Sequence, residues 1–99
     1  MITFELILSD DAADSLIELK TDASKKRILK DVVKTLKLME MNLRHPSLNT
    51  HEYHNFKGPK GEKVFESYAQ QKTAGAYRIF WCYGPDKGEI TILLIIPHP

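Results

Sequence analysis

Side chains that can move protons or hold ions concentrate in a polar segment between residues 46 and 62. His51, Glu52 and His54 lie within four consecutive positions. Imidazole and carboxylate groups can exchange protons near neutral pH or bind a metal ion. The simpler interpretation is a set of solvated loop side chains. A loop without regular spacing rarely preorganises a metal site. Metal binding by His51, His54 and His98 is therefore the least favoured of three functional hypotheses for this chain.

Three lysines follow in the same part of the chain. Lys57, Lys60 and Lys63 surround two glycines and can follow the phosphate backbone of a nucleic acid. The segment 58–61 is not a P-loop, because it lacks that motif's glycine spacing and its Lys-Ser/Thr ending. We therefore expect no cofactor.

The charge balance excludes a protein that holds nucleic acid by bulk charge. The chain has 14 basic and 13 acidic residues, a net charge of +1, too small for non-specific attraction to phosphates. This total conceals an uneven distribution of acidic and basic residues along the chain. Residues 1–22 carry six acids and one base, residues 23–63 ten bases and four acids, and residues 64–99 three of each. A local phosphate-facing patch therefore remains compatible with the composition.

The length and the cysteine usage set the class of protein. A chain of 99 residues and 11.4 kDa predicts one domain over 1–99. The single cysteine, Cys82, excludes an internal disulfide and the usual zinc thiolate pairs. Without a leader-like N-terminus or an apolar run longer than a strand, we expect a cytoplasmic chain with no membrane segment.

Hydrophobic periodicity predicts the elements that position these side chains. We expect a strand over 2–8, a helix over 10–20 capped by Ser9, and a helix over 24–43 capped by Ser24. After the polar loop, three strands are predicted over 63–70, 76–83 and 89–96. The order β-α-α-β-β-β predicts an α+β fold, with a helical hairpin packed on a twisted, mostly antiparallel sheet.

The strand over 76–83 has two different faces. Its bulky set is expected to meet the helices, and its second set to lie on the open face of the sheet; the first comprises Tyr77, Ile79, Trp81 and Tyr83, the second Arg78, Phe80 and Cys82. Arg78 is therefore expected to emerge on the open face. A structural alternative pairs it with Glu66 on the preceding strand, whose register the sequence leaves open. Cys82 has no local activator and is not predicted to be a nucleophile.

The element order and four local motifs resemble the RelE/ParE toxin superfamily. The resemblance covers nearly the whole chain. The motifs are Leu43-Arg44-His45-Pro46 with Leu48 and then Asn55-Phe56-Lys57-Gly58, Val64-Phe65-Glu66-Ser67-Tyr68, Ala76-Tyr77-Arg78-Ile79-Phe80-Trp81, and Ile96-Pro97-His98-Pro99.

The resemblance implies a chemistry and a set of partners. Many members of the superfamily cleave mRNA in the ribosomal A site without a metal, through attack of the RNA 2′-hydroxyl on the adjacent phosphate. By this resemblance Arg78 stabilises the phosphate, His98 is the general acid, and Glu52 or His54 is the general base. It also implies an antitoxin partner and ribosome-bound mRNA as the target. An edge strand makes a homodimer a further prediction.

One departure from the superfamily pattern supports an alternative function. Active ribosome-dependent members usually carry several basic residues on the strand that pairs with the arginine strand. Here residues 64–70 carry Glu66 and no basic residue. The alternative is a non-catalytic protein of the same fold that acts on, or is regulated by, a protein partner. Members of the ParE branch act in this way on DNA gyrase.

Overall fold

A single mixed sheet carries both helices on one of its faces. The computed structural model describes residues 2–98, and Pro99 of the C-terminal motif lies outside them. The strands are β1 (Glu5–Leu8), β2 (His51–Tyr53), β3 (Val64–Tyr68), β4 (Tyr77–Tyr83) and β5 (Glu89–Pro97). The helices are α1 (Asp10–Thr21) and α2 (Lys26–Met41), and short 3-10 turns span Ala23–Lys25 and Pro46–Leu48.

The strand order confirms the predicted fold class. Within the described residues the sheet has the order β1-β5-β4-β3-β2. β1 runs parallel to β5, and the remaining neighbours are antiparallel. A register shift between Phe80 and Trp81 marks a bulge in the pairing of β4 with β5. The chain is therefore an α+β fold with a mostly antiparallel sheet.

The two helices begin differently. At α1 the predicted cap is confirmed, because the Ser9 Oγ accepts the backbone N–H of Ala12 at 3.0 Å. At α2 the predicted Ser24 cap is wrong. Asp22 accepts from the backbone and the hydroxyl of Ser24 at 3.0 and 2.6 Å, and these bonds, led by the hydroxyl, lower the pKa of its carboxyl. A 3-10 turn forms first, so α2 starts at Lys26.

The main core lies between the helices and the sheet. Side chains of β4 and β5 face side chains of the helices, as predicted for Tyr77, Ile79 and Trp81, whereas Tyr83 of the same predicted set is 51% exposed. The fully buried members include Ala12, Leu19, Val32, Met39, Ile79, Trp81, Ile90, Ile92 and Ile95. Burying each large aliphatic side chain contributes about 1.5–3 kcal/mol, so packing on this face holds the two helices against the sheet.

The segment predicted as a loop over 46–62 contains a strand. β2 pairs antiparallel with β3 and becomes an edge of the sheet, so the predicted order lacked one strand. β2 has only three residues, too few for an alternating pattern to show in the sequence. In the part of the chain that the structure describes, no helix is long and apolar enough to span a bilayer.

Candidate functional site on the second face of the sheet

The register of three strands gathers polar side chains on the face that the helices leave free. His51 lies opposite Glu66, and Tyr68 lies opposite Arg78. Directly paired residues share a face of an antiparallel sheet. His98 follows β5 and its backbone N–H donates to the Ala76 carbonyl at 2.8 Å. We call these five residues, His51, Glu66, Tyr68, Arg78 and His98, the polar hub.

Glu66 is the centre of the polar hub. It is 2% exposed, and one carboxylate oxygen, Oε1, lies 2.7 Å from the His51 Nε2. The other oxygen, Oε2, lies 3.5 Å from the His98 Nδ1 and 3.7 Å from the Arg78 Nε. Neither Oε2 nor the Arg78 Nε has a hydrogen-bond partner among the described residues. Glu66 therefore binds one imidazole tightly and holds a second imidazole and a guanidinium loosely.

Arg78 lies on the predicted face, but it is not exposed. Its Nη1 donates to the Gln70 carbonyl at 2.7 Å, and its guanidinium carbon lies 3.7 Å from the centre of the Tyr68 ring. This is cation–π geometry. The residue is 8% exposed, so the prediction that it emerges into solvent is wrong. The pairing with Glu66, kept as the structural alternative, is present.

His51 joins the hub through contacts that the sequence did not indicate. Its Nδ1 lies 3.0 Å from the Asn49 carbonyl, and its ring meets the Tyr68 ring edge-on at 5.9 Å between centroids. Its side chain is about half exposed. Sequence reasoning used His51 only in the metal hypothesis, because its proximity to Glu66 depends on the unrecognised strand β2. Residues 2–98 contain no group of three His, Cys, Asp or Glu that could hold a metal.

The structure does not bring the predicted bases to Arg78. Glu52 lies opposite Phe65, which packs against the helix-side core. The side chain of Glu52 therefore points away from the polar hub. His54 lies beyond the end of β2, and its Nδ1 is 3.4 Å from the Glu52 Oε2. The two residues pair with each other, and the general-base role given to them stays a prediction.

The three predicted phosphate-binding lysines lie in the loop between β2 and β3. Lys57, Lys60 and Lys63 are all exposed. The Glu62 carboxylate accepts the Lys60 backbone N–H at 2.7 Å. Backbone hydrogen bonds from Glu62 itself and from Lys60 lower the pKa of that carboxyl. This loop is thus an ordered turn with its ammonium groups free to reach solvent.

An apolar cluster fills the other end of the same face. The Phe80 ring lies 4.8 Å from the Tyr53 ring and 5.7 Å from the Phe56 ring. Val64 is fully buried, and Cys82 is 2% exposed. Burial raises the pKa of the Cys82 thiol, with a smaller contribution from the charge of Glu62, so the thiol is unsuited to nucleophilic chemistry. We call these five residues, Tyr53, Phe56, Val64, Phe80 and Cys82, the aromatic cap.

Comparison with known proteins identifies the fold. No family model and no curated protein sequence matches the chain. Among solved structures, a YoeB/ParE toxin from Agrobacterium tumefaciens is similar at a TM-score of 0.68 and 7% identity, covering 97% of this chain and 100% of that one. An archaeal RelE–RelB complex from Pyrococcus horikoshii is similar at a TM-score of 0.63 and 10% identity, covering 96% and 94%.

A third structure contains both components of a toxin–antitoxin pair. The heterotetrameric YoeB–YefM toxin–antitoxin complex from Staphylococcus aureus includes a chain similar at a TM-score of 0.64 and 14% identity, covering 97% of this chain and 98% of that one. At these identities the similarity shows the fold. The predicted resemblance to the RelE/ParE superfamily is confirmed at that level, as the chain has the fold of YoeB, ParE and RelE toxins.

Proposed function

We propose that this protein is the toxin of a type II toxin–antitoxin pair and that its target is ribosome-bound mRNA, cleaved without a metal. One observation carries the proposal. In a chain with the fold of these toxins, Arg78 and His98 converge on the same carboxylate, at 3.7 and 3.5 Å. A permanent cation and an imidazole side by side supply two of the groups that phosphodiester cleavage needs, a charge at the phosphate and a proton donor.

The proposed reaction starts with attack of the RNA 2′-oxygen on the adjacent phosphorus. The bond from phosphorus to the 5′-oxygen breaks, leaving a cyclic phosphate and a 5′-hydroxyl. His98 donates its Nε2 proton to the departing 5′-oxygen, and the proton of the 2′-hydroxyl passes to the predicted base, Glu52 or His54, through water. The Glu66 Oε2, which lies 3.5 Å from the Nδ1 of His98, orients the imidazole for this proton transfer.

Arg78 stabilises the negative charge that develops on the phosphoryl oxygens. Its planar guanidinium suits this role. Since it is buried and donates to the Gln70 carbonyl, its side chain must turn outward when the RNA binds. Lys57, Lys60 and Lys63 would hold the neighbouring phosphates along the strand.

The partners follow from the same proposal. The structural neighbour crystallised as a YoeB–YefM toxin–antitoxin complex supports an antitoxin as the physiological partner of this chain. The edge strand β2 supports a second copy of the chain as another partner. A target on the ribosome places the protein in the cytoplasm.

Controlled expression tests the nuclease function. Wild-type protein should arrest growth and produce new 5′ ends in ribosome-bound mRNA, mapped by primer extension. Arg78→Ala and His98→Ala should each reduce cleavage at least about a hundredfold, in the range for loss of a charge-stabilising or proton-donating group. Lys87→Ala, in the exposed turn before β5, is the control and should cleave normally. Intact mRNA with the folded wild-type protein would reject the nuclease function.

A second candidate function is favoured by the burial of Arg78. An arginine that is 8% exposed and paired with Glu66 also suits a toxin-fold protein that binds a protein partner without catalysis. In that case the wild type and Arg78→Ala leave mRNA equally intact, and a stable complex with a cognate partner is recovered by co-purification. Cleavage of ribosome-bound message would remove this candidate.

A further inference from the structure

The guanidinium of Arg78 makes its shortest hydrogen bond to a backbone carbonyl. Its Nη1 donates to the Gln70 carbonyl at 2.7 Å. The contacts with the Ala76 and Tyr77 carbonyls are 3.4 and 3.5 Å long, beyond the usual range of a good N–H to O hydrogen bond. The Nε lies 3.7 Å from the Glu66 Oε2. Among these polar contacts, the Gln70 carbonyl therefore contributes most to keeping the guanidinium withdrawn from solvent.

Gln70, in the connection between β3 and β4, is held in place by its own side chain. Its Oε1 accepts the Tyr77 backbone N–H at 3.2 Å, and its Nε2 donates to the Asp31 Oδ2 at 3.0 Å. Since a backbone N–H only donates and an ionised carboxylate only accepts, these two partners fix the amide in one orientation. The position requires a donor and an acceptor on the same side chain, which neither a carboxylate nor an apolar residue supplies.

The bond between Gln70 and Asp31 connects the two faces of the sheet. Asp31 lies on α2, which packs on the helix-side core, whereas Arg78 lies on the face that the helices leave free. The second partner of the Asp31 carboxylate is the Arg27 Nε at 3.6 Å, on a side chain that is 86% exposed. Such exposed ion pairs contribute little. The position of Gln70, and through it that of Arg78, is thus tied to α2 mainly by one hydrogen bond.

We propose that Gln70 is the positioning residue of Arg78, and that its bond to Asp31 fixes the carbonyl that keeps the guanidinium withdrawn beside Glu66. Gln70 acts through Arg78 and contacts no reacting atom. The consequence for catalysis rests on the proposed function, in which Arg78 turns outward when RNA binds. A fixed carbonyl opposes that turn and gives the guanidinium one defined position to return to after cleavage.

Chemical modification of the full chain by phenylglyoxal, which reacts with accessible guanidinium groups, measures this positioning without RNA. Mass spectrometry gives the rate at Arg78, and the exposed Arg44 is the internal reference in each sample. Gln70→Leu keeps the size of the side chain and the backbone carbonyl but removes both side-chain hydrogen bonds. Its Arg78 should be modified about fivefold faster than in the wild type, as expected when one hydrogen bond no longer opposes local opening.

Asp31 offers a disruptive variant and its rescue. Asp31→Ala removes the acceptor of the Gln70 amide and should increase the rate at Arg78 as Gln70→Leu does. Asp31→Asn retains an acceptor oxygen and should react at a rate close to that of the wild type, which a general loosening of α2 would not produce. If Gln70→Leu does not fold, this pair of variants still decides the question.

Gln71→Leu is the matched control, because this neighbouring glutamine donates to the Ser47 carbonyl at 2.9 Å instead of to Asp31. Its Arg78 should react as in the wild type. Equal rates at Arg78 in the wild type, Gln70→Leu and Asp31→Ala would overturn the proposal, as would an equal increase in Gln71→Leu.

The modification rates do not depend on mRNA cleavage, so the two proposals can fail separately. Intact mRNA together with the expected rates would contradict the proposed function alone. Cleavage of mRNA by a wild type whose Arg78 reacts no more slowly than that of Gln70→Leu would contradict the role of Gln70 alone.

Discussion

The aromatic cap and the polar hub lie side by side on the face of the sheet that the helices leave free. The same strands build both clusters, which differ in what covers them. Phe80 and Glu66 lie directly opposite each other on β4 and β3 and are 1% and 2% exposed. Around Phe80, Tyr53 at the end of β2 and Phe56 in the loop after it pack against the Phe80 ring. Around Glu66 the cover consists of the Arg78 guanidinium and two half-exposed imidazoles. Strand alternation thus supplies both clusters, and the loop covers the aromatic cap while the two imidazoles of the polar hub stay about half exposed.

The energetics of the two ends differ in kind. The aromatic cap gains from buried area, and each ring pair adds about 0.5–1.5 kcal/mol beyond that area. The polar hub buries opposite charges, whose attraction is largely offset by the loss of hydration. The Arg78 Nε and the Glu66 Oε2 also lack hydrogen-bond partners among the described residues. A pair with so little net benefit to folding is better explained by function than by stability.

The largest expected effect is at the aromatic cap. Phe80→Ala should lower the free energy of unfolding by about 3–5 kcal/mol, because it removes a fully buried ring and leaves a cavity. Urea unfolding followed by fluorescence of Trp81 would measure it. Ile17→Ala, on the exposed side of α1 with its side chain 58% exposed, is the control and should change stability by less than about 0.5 kcal/mol. A small loss in Phe80→Ala would mean that the cap does not stabilise the sheet.

The polar hub should respond to single and double substitutions in opposite ways. Glu66→Leu or Arg78→Met alone should cost about 3 kcal/mol or more, because each leaves one buried charge without its partner. The double variant should lose less than either single variant. Urea unfolding of the four proteins forms a double-mutant cycle. Additive losses would show that the two charges do not depend on each other, and the contrast with the aromatic cap would disappear.

Most of the fold could be predicted because its signals are local. The cap at Ser9 and the alternation in β4 each act within a few residues, and each predicted its element. The start of α2 was misplaced because Asp22 and Ser24 are both good capping residues, and the choice depends on which side chain bonds to which backbone group. β2 was missed because three residues form a strand only when β3 is beside them.

The site was harder to predict because its contacts are long-range. Alternation placed Arg78 on the correct face, but its burial depends on Tyr68 and the Gln70 carbonyl, which the register with β3 brings to it. For the same reason, the resemblance pointed to Glu52 and His54, whereas the register places His51 beside Glu66. A one-residue step along β2 separates the two faces of the sheet, and no signal in the sequence fixed that step.

The reactivity of the Cys82 thiol tests, with a smaller expected effect, whether the aromatic cap is closed. Because burial raises its pKa, it should react slowly with a disulfide reagent such as DTNB in the native state. Phe80→Ala should increase that rate at least several-fold by opening the aromatic cap. The raised pKa also means that the contribution of Cys82 to stability is present below the ordinary thiol pKa and is lost as pH rises beyond it. Cys82→Ala is the control and should remove this alkaline component. Fast labelling of the wild type would show that the cap is open.

The smallest expected effect concerns the loop that covers the aromatic cap. Backbone hydrogen bonds lower the pKa of the Glu62 carboxyl, so its contribution is present above the ordinary carboxyl pKa and is lost as pH falls through the lowered value. Glu62→Gln weakens the acceptor of the Lys60 N–H and should speed hydrogen exchange of that amide several-fold, with an unchanged midpoint of urea unfolding.

Glu52→Gln is the matched control for the loop experiment, because its carboxylate contacts His54 instead of a backbone amide of this turn. Its Lys60 amide should exchange as in the wild type. Equal exchange in both variants would show that Glu62 does not order the loop. If exchange rises in Glu62→Gln while the NMR signals of His51 and His98 stay in place, the loop moves independently of the polar hub. In that case the aromatic cap can open without disturbing the polar hub, where Arg78 is proposed to stabilise the RNA phosphate.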